Sequence, residues 1–175
     1  MKPSSNGERP APGRANQRTR HGPPWAPDAV DRHIVQLLLD DGRLPNAELA
    51  RRVGLPESTC SMRVRTLRDQ GVLTGVHADV DLAALGRPME AMVAVRFSGH
   101  RREQMDHFRA SIVDVPGVIA AYHVAGENDF LVHVCAESPH ALRDFVLDRL
   151  TGMPGIVQAQ TSLIFERLRG RAPLA

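Results

Sequence analysis

The chain has 175 residues, 42% of them hydrophobic and 24% charged, with a formal net charge of +2. These proportions sit near the usual globular balance and exclude a fibre or a wholly disordered polymer. No apolar run approaches the roughly 18–20 residues of a membrane span, and the first residues are polar with no hydrophobic signal core, so neither membrane passage nor secretion is expected.

The charge is uneven along the chain. Residues 1–27 hold Lys2, Arg9, Arg14, Arg18 and Arg20 against Glu8, a net +4, whereas residues 28–75 balance and residues 76–175 carry −2. The same 27 residues contain six of the thirteen prolines and almost no aliphatic side chains. They cannot offset the entropy of ordering and read as a flexible basic arm whose arginines are able to contact phosphate.

Order begins at Asp28, a helix cap, with Ile34, Leu37 and Leu38 recurring at i, i+3 and i+4 through a helix that Gly42 ends. Pro45 opens a second helix with Leu49 and Val53 facing inward, and Gly54 closes it. Leu55 and Pro56 lead into a third helix that runs to Gln70, and Gly71 stops it. Two short helices joined by a glycine-containing turn, the second rich in arginine and hydroxyls, form a helix-turn-helix candidate.

Helical rotation of ~100° per residue tells what the third helix exposes. With Cys60 at the origin, Val64 falls near 40° and Leu67 near 340°, roughly one buried stripe. Ser58, Met62, Arg65 and Asp69 gather on the opposite side, about 140–200° away, the face a DNA groove would see. Ser61 and Thr66 flank that face. Arg63 and Arg68 sit beside the buried stripe, where they reach phosphate or an intramolecular carboxylate.

After Gly71 the period changes from 3.6 to 2. Val72 and Val76 start a wing or linker strand, and residues 76–89 form the linker. A strand follows over Glu90–Phe97, then a helix with Met105, Phe108 and Ile112, a strand over Val118–Ala125, a turn at Gly126–Asn128, a strand over Phe130–Ala136, a helix over Pro139–Leu150, and a strand over Ile156–Glu166. The order β-α-β-β-α-β is the ferredoxin-like arrangement, so the chain as a whole is α+β. A weak repeat agrees: Pro116-Gly117-Val118 and Pro154-Gly155-Ile156 each follow apolar residues four and eight positions upstream. Phe130, Val132 and Val134 alternate with Leu131 and Cys135, so the sheet is apolar on both faces. Helices cover one face only; a second copy of the same sheet covers the other, and a dimer is expected. Cys60 and Cys135 both lie in apolar periodic segments, which suits reduced thiols in a cytoplasmic protein.

These residues resemble a known family. Asp28-x-x-Asp31-Arg32-x-Ile34, Asp41-Gly42-Arg43, Asn46-Ala47-Glu48-Leu49-Ala50-Arg51-Arg52-Val53-Gly54-Leu55, Ser58-Thr59-x-Ser61-x-Arg63-Val64-Arg65-x-Leu67 and Gly71-Val72-Leu73 are similar to the DNA-binding half of Lrp/AsnC (feast/famine) transcription regulators. Gly126-Glu127-x-Asp129-Phe130, and Pro154-Gly155-Ile156 followed by Thr161-Ser162, look like their effector-binding and assembly domain. The resemblance implies a winged helix-turn-helix over 28–75 and a βαββαβ domain over 90–169, with 170–175 as a short tail. It further implies double-stranded DNA as partner, dimers paired through their sheets and often assembled into octamers, and amino acids or related small molecules as effectors. Ser58, Thr59, Ser61, Met62, Arg63, Arg65, Thr66 and Arg68 become the DNA-contacting set. Gly126, Glu127, Asn128, Asp129, Thr161 and Ser162 become the effector set, in which Asp129 takes an ammonium and the two hydroxyls orient a carboxylate. The simpler reading of Asp129 is a hairpin aspartate bonded to backbone amides.

Two other readings belong to the same architecture. Siroheme decarboxylases look like this two-domain arrangement, and His123 and His133, on strands joined by the Gly126 turn, are possible cross-strand neighbours with Cys135 nearby. The spacing gives no Cys-x-x-Cys or His-x-x-x-His pair, nucleophile–base pair, catalytic carboxylate pair or phosphate-binding glycine loop, so neither metal, cofactor nor catalysis is expected. The third reading is a sensing or assembly partner that does not bind DNA.

Overall fold

A computed structural model describes residues 26–99, 102–168 and 170. The basic-arm expectation falls almost wholly outside these residues, as does the C-terminal tail beyond Gly170. The chain divides between Val76 and His77 into two compact units. No helix among the described residues is long and apolar enough to cross a membrane.

Among the described residues the first unit holds three helices, α1 (Ala29–Asp40), α2 (Asn46–Val53) and α3 (Glu57–Asp69). Asp28 caps α1 in a reciprocal box: its carboxylate accepts from the Asp31 N–H at 2.8 Å, and the Asp31 carboxylate accepts from the Asp28 N–H at 3.2 Å. Both α2 and α3 start after a proline, and neither has a side-chain cap. Ile34, Leu49, Ala50, Cys60, Val64 and Leu67 form the buried core, so the apolar spacing read from the sequence is the spacing that packs. Burial also raises the Cys60 thiol above its usual pKa.

The strand expected at Val72–Val76 is not formed. No strand occurs among the described residues between Gly71 and Pro88, which hold bends, loop and a turn over Leu82–Gly86. A lone strand has no ladder partner for its backbone groups, and the other described residues of this unit form helices and loop only.

The second unit holds β1 (Met89–Phe97), α4 (Arg102–Ile112), β2 (Val118–His123), β3 (Phe130–Ala136), α5 (Pro139–Asp144) and β4 (Ile156–Ile164). Its four strands are ordered β2-β3-β1-β4, every neighbouring pair antiparallel. This is the expected pair of split β-α-β units. Val93 faces Val132 on one side and Thr161 on the other. Ala91, Val93, Val95, Phe97, Phe130, Val132 and Val134 pack under Met105, Phe108, Ile112, Leu142 and Leu150. Phe97, Phe108 and Phe130 meet with ring centroids 4.7–6.0 Å apart.

The helix expected over Pro139–Leu150 is α-helical only to Asp144 and continues as a π-helical segment, Phe145–Leu150. Ser138 caps its start by accepting from the Ala141 N–H at 3.1 Å. The sequence repeat has a physical basis. Gly117 and Gly155 both take positive φ, 97° and 89°, and their carbonyls each accept a 2.8 Å bond from a neighbouring strand end, Cys135 N–H and Ser98 N–H.

Candidate nucleic-acid interface and effector region

Cys60, Val64 and Leu67 turn α3 onto α1 and α2, and this rotation leaves Ser58, Met62, Arg65 and Asp69 exposed on its far side. Met62 on this face is 62% exposed. Arg65 has no ion-pair or hydrogen-bond partner among the described residues. Arg68 is exposed at the C-terminal end of the helix, and Thr59 is half-buried at its start.

Three of the expected DNA contacts are engaged within the protein. Arg63 Nη1 pairs with Asp28 Oδ2 at 2.8 Å and Asp31 Oδ1 at 2.9 Å, so it bridges α3 to the capped start of α1. Asp31 is only 5% exposed, and the two carboxylates hold the Arg63 guanidinium more firmly protonated. The Asp28 carboxyl is lowered by the Asp31 backbone N–H first and by Arg63 second. Of the two roles open to Arg63, the intramolecular carboxylate is the one the fold uses. Ser61 Oγ accepts from Asn46 Nδ2 at 2.6 Å. Thr66 Oγ1 donates back to the Met62 carbonyl at 3.1 Å. On α2, Glu48 pairs with Arg51 and Arg52, both at 2.7 Å, which lowers its carboxyl to about 2.

In the second unit, Gly126 and Glu127 are exposed in the β2–β3 loop, and Asn128 and Asp129 are half-buried. Asp129 bonds backbone groups of β1 and not of its own turn: its Oδ2 accepts from the Phe97 N–H at 2.8 Å, while its own N–H donates to the Val95 carbonyl at 2.9 Å. Thr161 and Ser162 do not share a surface. Thr161 is opposite Val93 on the helix-covered face and Ser162 is opposite Met92 on the open face. Thr161 lines a groove of about 360 Å³ with Met89, Leu142, Val146, Leu147 and Leu163.

His123 and His133 are likewise separated, which corrects the cross-strand expectation. His123 pairs with Phe130 in register, stacks on it at 4.9 Å and accepts at Nδ1 from Arg109 at 2.8 Å. His133 faces Met92 on the open side, where its Nε2 meets Glu90 Oε2 at 2.8 Å. Strand alternation, not the loop, decides which histidines meet. No group of three metal-ligating side chains occurs among the described residues. The sequence reading missed Asn46, whose contacts lie 11 and 15 residues away; nothing in a linear pattern marks such a pair.

Comparison with known proteins agrees with the two-unit organisation. The AsnC-type helix-turn-helix domain matches residues 28–68, and the Lrp/AsnC ligand binding domain matches residues 90–174. The chain is 43% identical over 147 residues to the HTH-type transcriptional regulator AldR of Mycolicibacterium smegmatis, covering 84% of this chain and 86% of that protein. It is 35% identical over 142 residues to the leucine-responsive regulatory protein of Rhizobium meliloti, covering 81% and 91%. Among solved structures, the L-methionine complex of a transcriptional regulator from Neisseria meningitidis superposes with a TM-score of 0.78 at 29% identity, covering 86% of this chain and 97% of that one.

Proposed function

The chain belongs to the Lrp/AsnC family of transcriptional regulators, and from that premise we propose that it reads DNA as a dimer, its two α3 helices entering successive major grooves about 34–36 Å apart. The observation that carries this reading is the exposed face of α3, on which Arg65 stands unpaired among the described residues beside Ser58 and Met62. Arg65 is the base reader, bidentate to a guanine edge, and Met62 offers an apolar contact to a thymine methyl. Thr59 and Arg68 bind phosphate on either side.

The dimer forms through the open sheet face, where Met92, Ala94, Tyr122 and Leu131 lie outside the helix-covered core of the described residues. An amino acid or related small molecule is the effector, a reading supported by the L-methionine complex of the Neisseria relative. Gly126, Glu127 and Asn128 are the contacts the exposed loop makes available, and Thr161 offers a hydroxyl in an apolar groove. Ser162 belongs with the open face instead. Effector binding alters assembly or the spacing of the α3 helices, with a coupling on the order of 1–3 kcal/mol.

The test is selection of duplexes from a randomised pool by the purified protein, repeated with amino acids added one at a time. Enrichment of two related half-sites roughly one helical turn apart supports the reading. A pool without enrichment, bound weakly and released by moderate salt, contradicts it.

A further inference from the structure

We propose that Asn46 is a positioning residue for DNA recognition: it holds the first turn of α3 through Ser61 and the Glu57 carbonyl, and leaves the Ser61 hydroxyl proton to an acceptor on the DNA. The inference rests on α3 being the reading helix.

Asn46 Nδ2 lies 3.2 Å from the Glu57 carbonyl oxygen and 2.6 Å from Ser61 Oγ. A carbonyl only accepts, so the amide atom that faces Glu57 is the nitrogen, and this fixes which way the amide points. The same nitrogen only donates, so Ser61 Oγ is the acceptor in the second contact. A hydroxyl carries one proton, and a hydroxyl used here as acceptor keeps that proton for another partner. Ser61 is exposed and adjoins the face of Ser58, Met62 and Arg65, where base edges are the acceptors that set an enriched duplex apart from a scrambled one.

The same contact answers a local deficiency. Both α2 and α3 begin at prolines that make no side-chain cap. Leu49, Cys60 and Val64 pack the two helices together from the buried side, but apolar packing is non-directional and does not set the pitch of the exposed first turn. The Asn46 amide does, because its two bonds reach α3 at points one helical turn apart.

The experiment uses the full chain with two probes: a duplex enriched from a randomised pool by the wild-type protein, and a scrambled duplex of equal length. Asn46→Ala and Ser61→Ala are each expected to bind the enriched duplex roughly 3- to 10-fold more weakly, the size of one lost hydrogen bond. The loss in the double variant falls short of the product of the two single losses, because the Asn46–Ser61 bond is removed by both substitutions. Scrambled-duplex affinity, salt dependence and thermal midpoint stay at wild-type values. Asn46→Asp, which keeps the shape but cannot donate to the Glu57 carbonyl, behaves like Asn46→Ala. Wild-type binding by Asn46→Ala overturns the proposal. So do losses that multiply in the double variant, and so does an equal loss on both duplexes with a lowered midpoint, which marks a folding role only. A pool that yields no enriched duplex overturns α3 as the reading helix, and this role for Asn46 with it.

Discussion

Arg63 and Arg65 stand two positions apart on α3, and a rotation of about 200° sends them to opposite sides of the helix. That much is legible from spacing. Whether Arg63 then meets a phosphate or a carboxylate is not, because its partners Asp28 and Asp31 lie 35 and 32 residues away. The fold resolves it: Arg63 ties α3 to α1. Arg63→Ala is therefore expected to lower the denaturation midpoint while leaving the salt slope of DNA binding unchanged, whereas loss of a phosphate contact reduces that slope by about one unit. A thermal melt and a salt titration of the same variant check both halves. The residues expected to contact an effector behave similarly. Thr161 and Ser162 are adjacent in sequence, yet the period of two along a strand places them on opposite faces. Asp129 is committed in part to the Phe97 backbone on β1, 32 residues away, a partner that the local Gly-x-x-Asp pattern does not mark.

At the scale of elements, periodicity and punctuation carried most of the information. The strand expected over Phe130–Ala136 and the helix around Met105, Phe108 and Ile112 are present as read. Deviations occur where hydrogen bonds, not side-chain patterns, decide. β2 stops at His123 because the Val124 N–H turns to the Asp129 carbonyl to close the hairpin. The helix after Ser138 loosens to π geometry at Phe145, a change that apolar spacing does not encode, since both helix types present much the same face over one turn. The two Pro-Gly turns are the most demanding positions. At Gly117 a Cβ would meet the Cys135 carbonyl at 3.0 Å, with φ already at +97°. Gly117→Ala is expected to cost on the order of 1–3 kcal/mol, from backbone strain and displacement of β3. Chemical denaturation measures it, and an unchanged midpoint would show that the turn relaxes freely.

On the scale of the whole molecule, the question is what covers the open side of the sheet. Met92, Ala94, Tyr122 and Leu131 line it, around His133 held by Glu90. The fold class and the existence of this second apolar face were legible from alternation; the histidine–glutamate pair within it was not, because it joins strands far apart in sequence. A second copy buries such a face with self-complementary contacts. Leu131→Glu is accordingly expected to shift the protein toward monomer in analytical ultracentrifugation and to weaken binding to paired half-sites far more than to a single half-site. A variant that stays dimeric would move the interface elsewhere. The central claim, however, is that α3 reads sequence through Arg65. Footprinting on the DNA that flanks the protein's own gene, with nonspecific competitor at two salt concentrations, tests it most directly when wild type and Arg65→Ala are run together. The expected result is wild-type protection of phased sites and, in the variant, a loss of ~1–3 kcal/mol with relaxed discrimination at one base position per half-site. Equal protection by both proteins, or a loss that is the same for every sequence and disappears at higher salt, would contradict it.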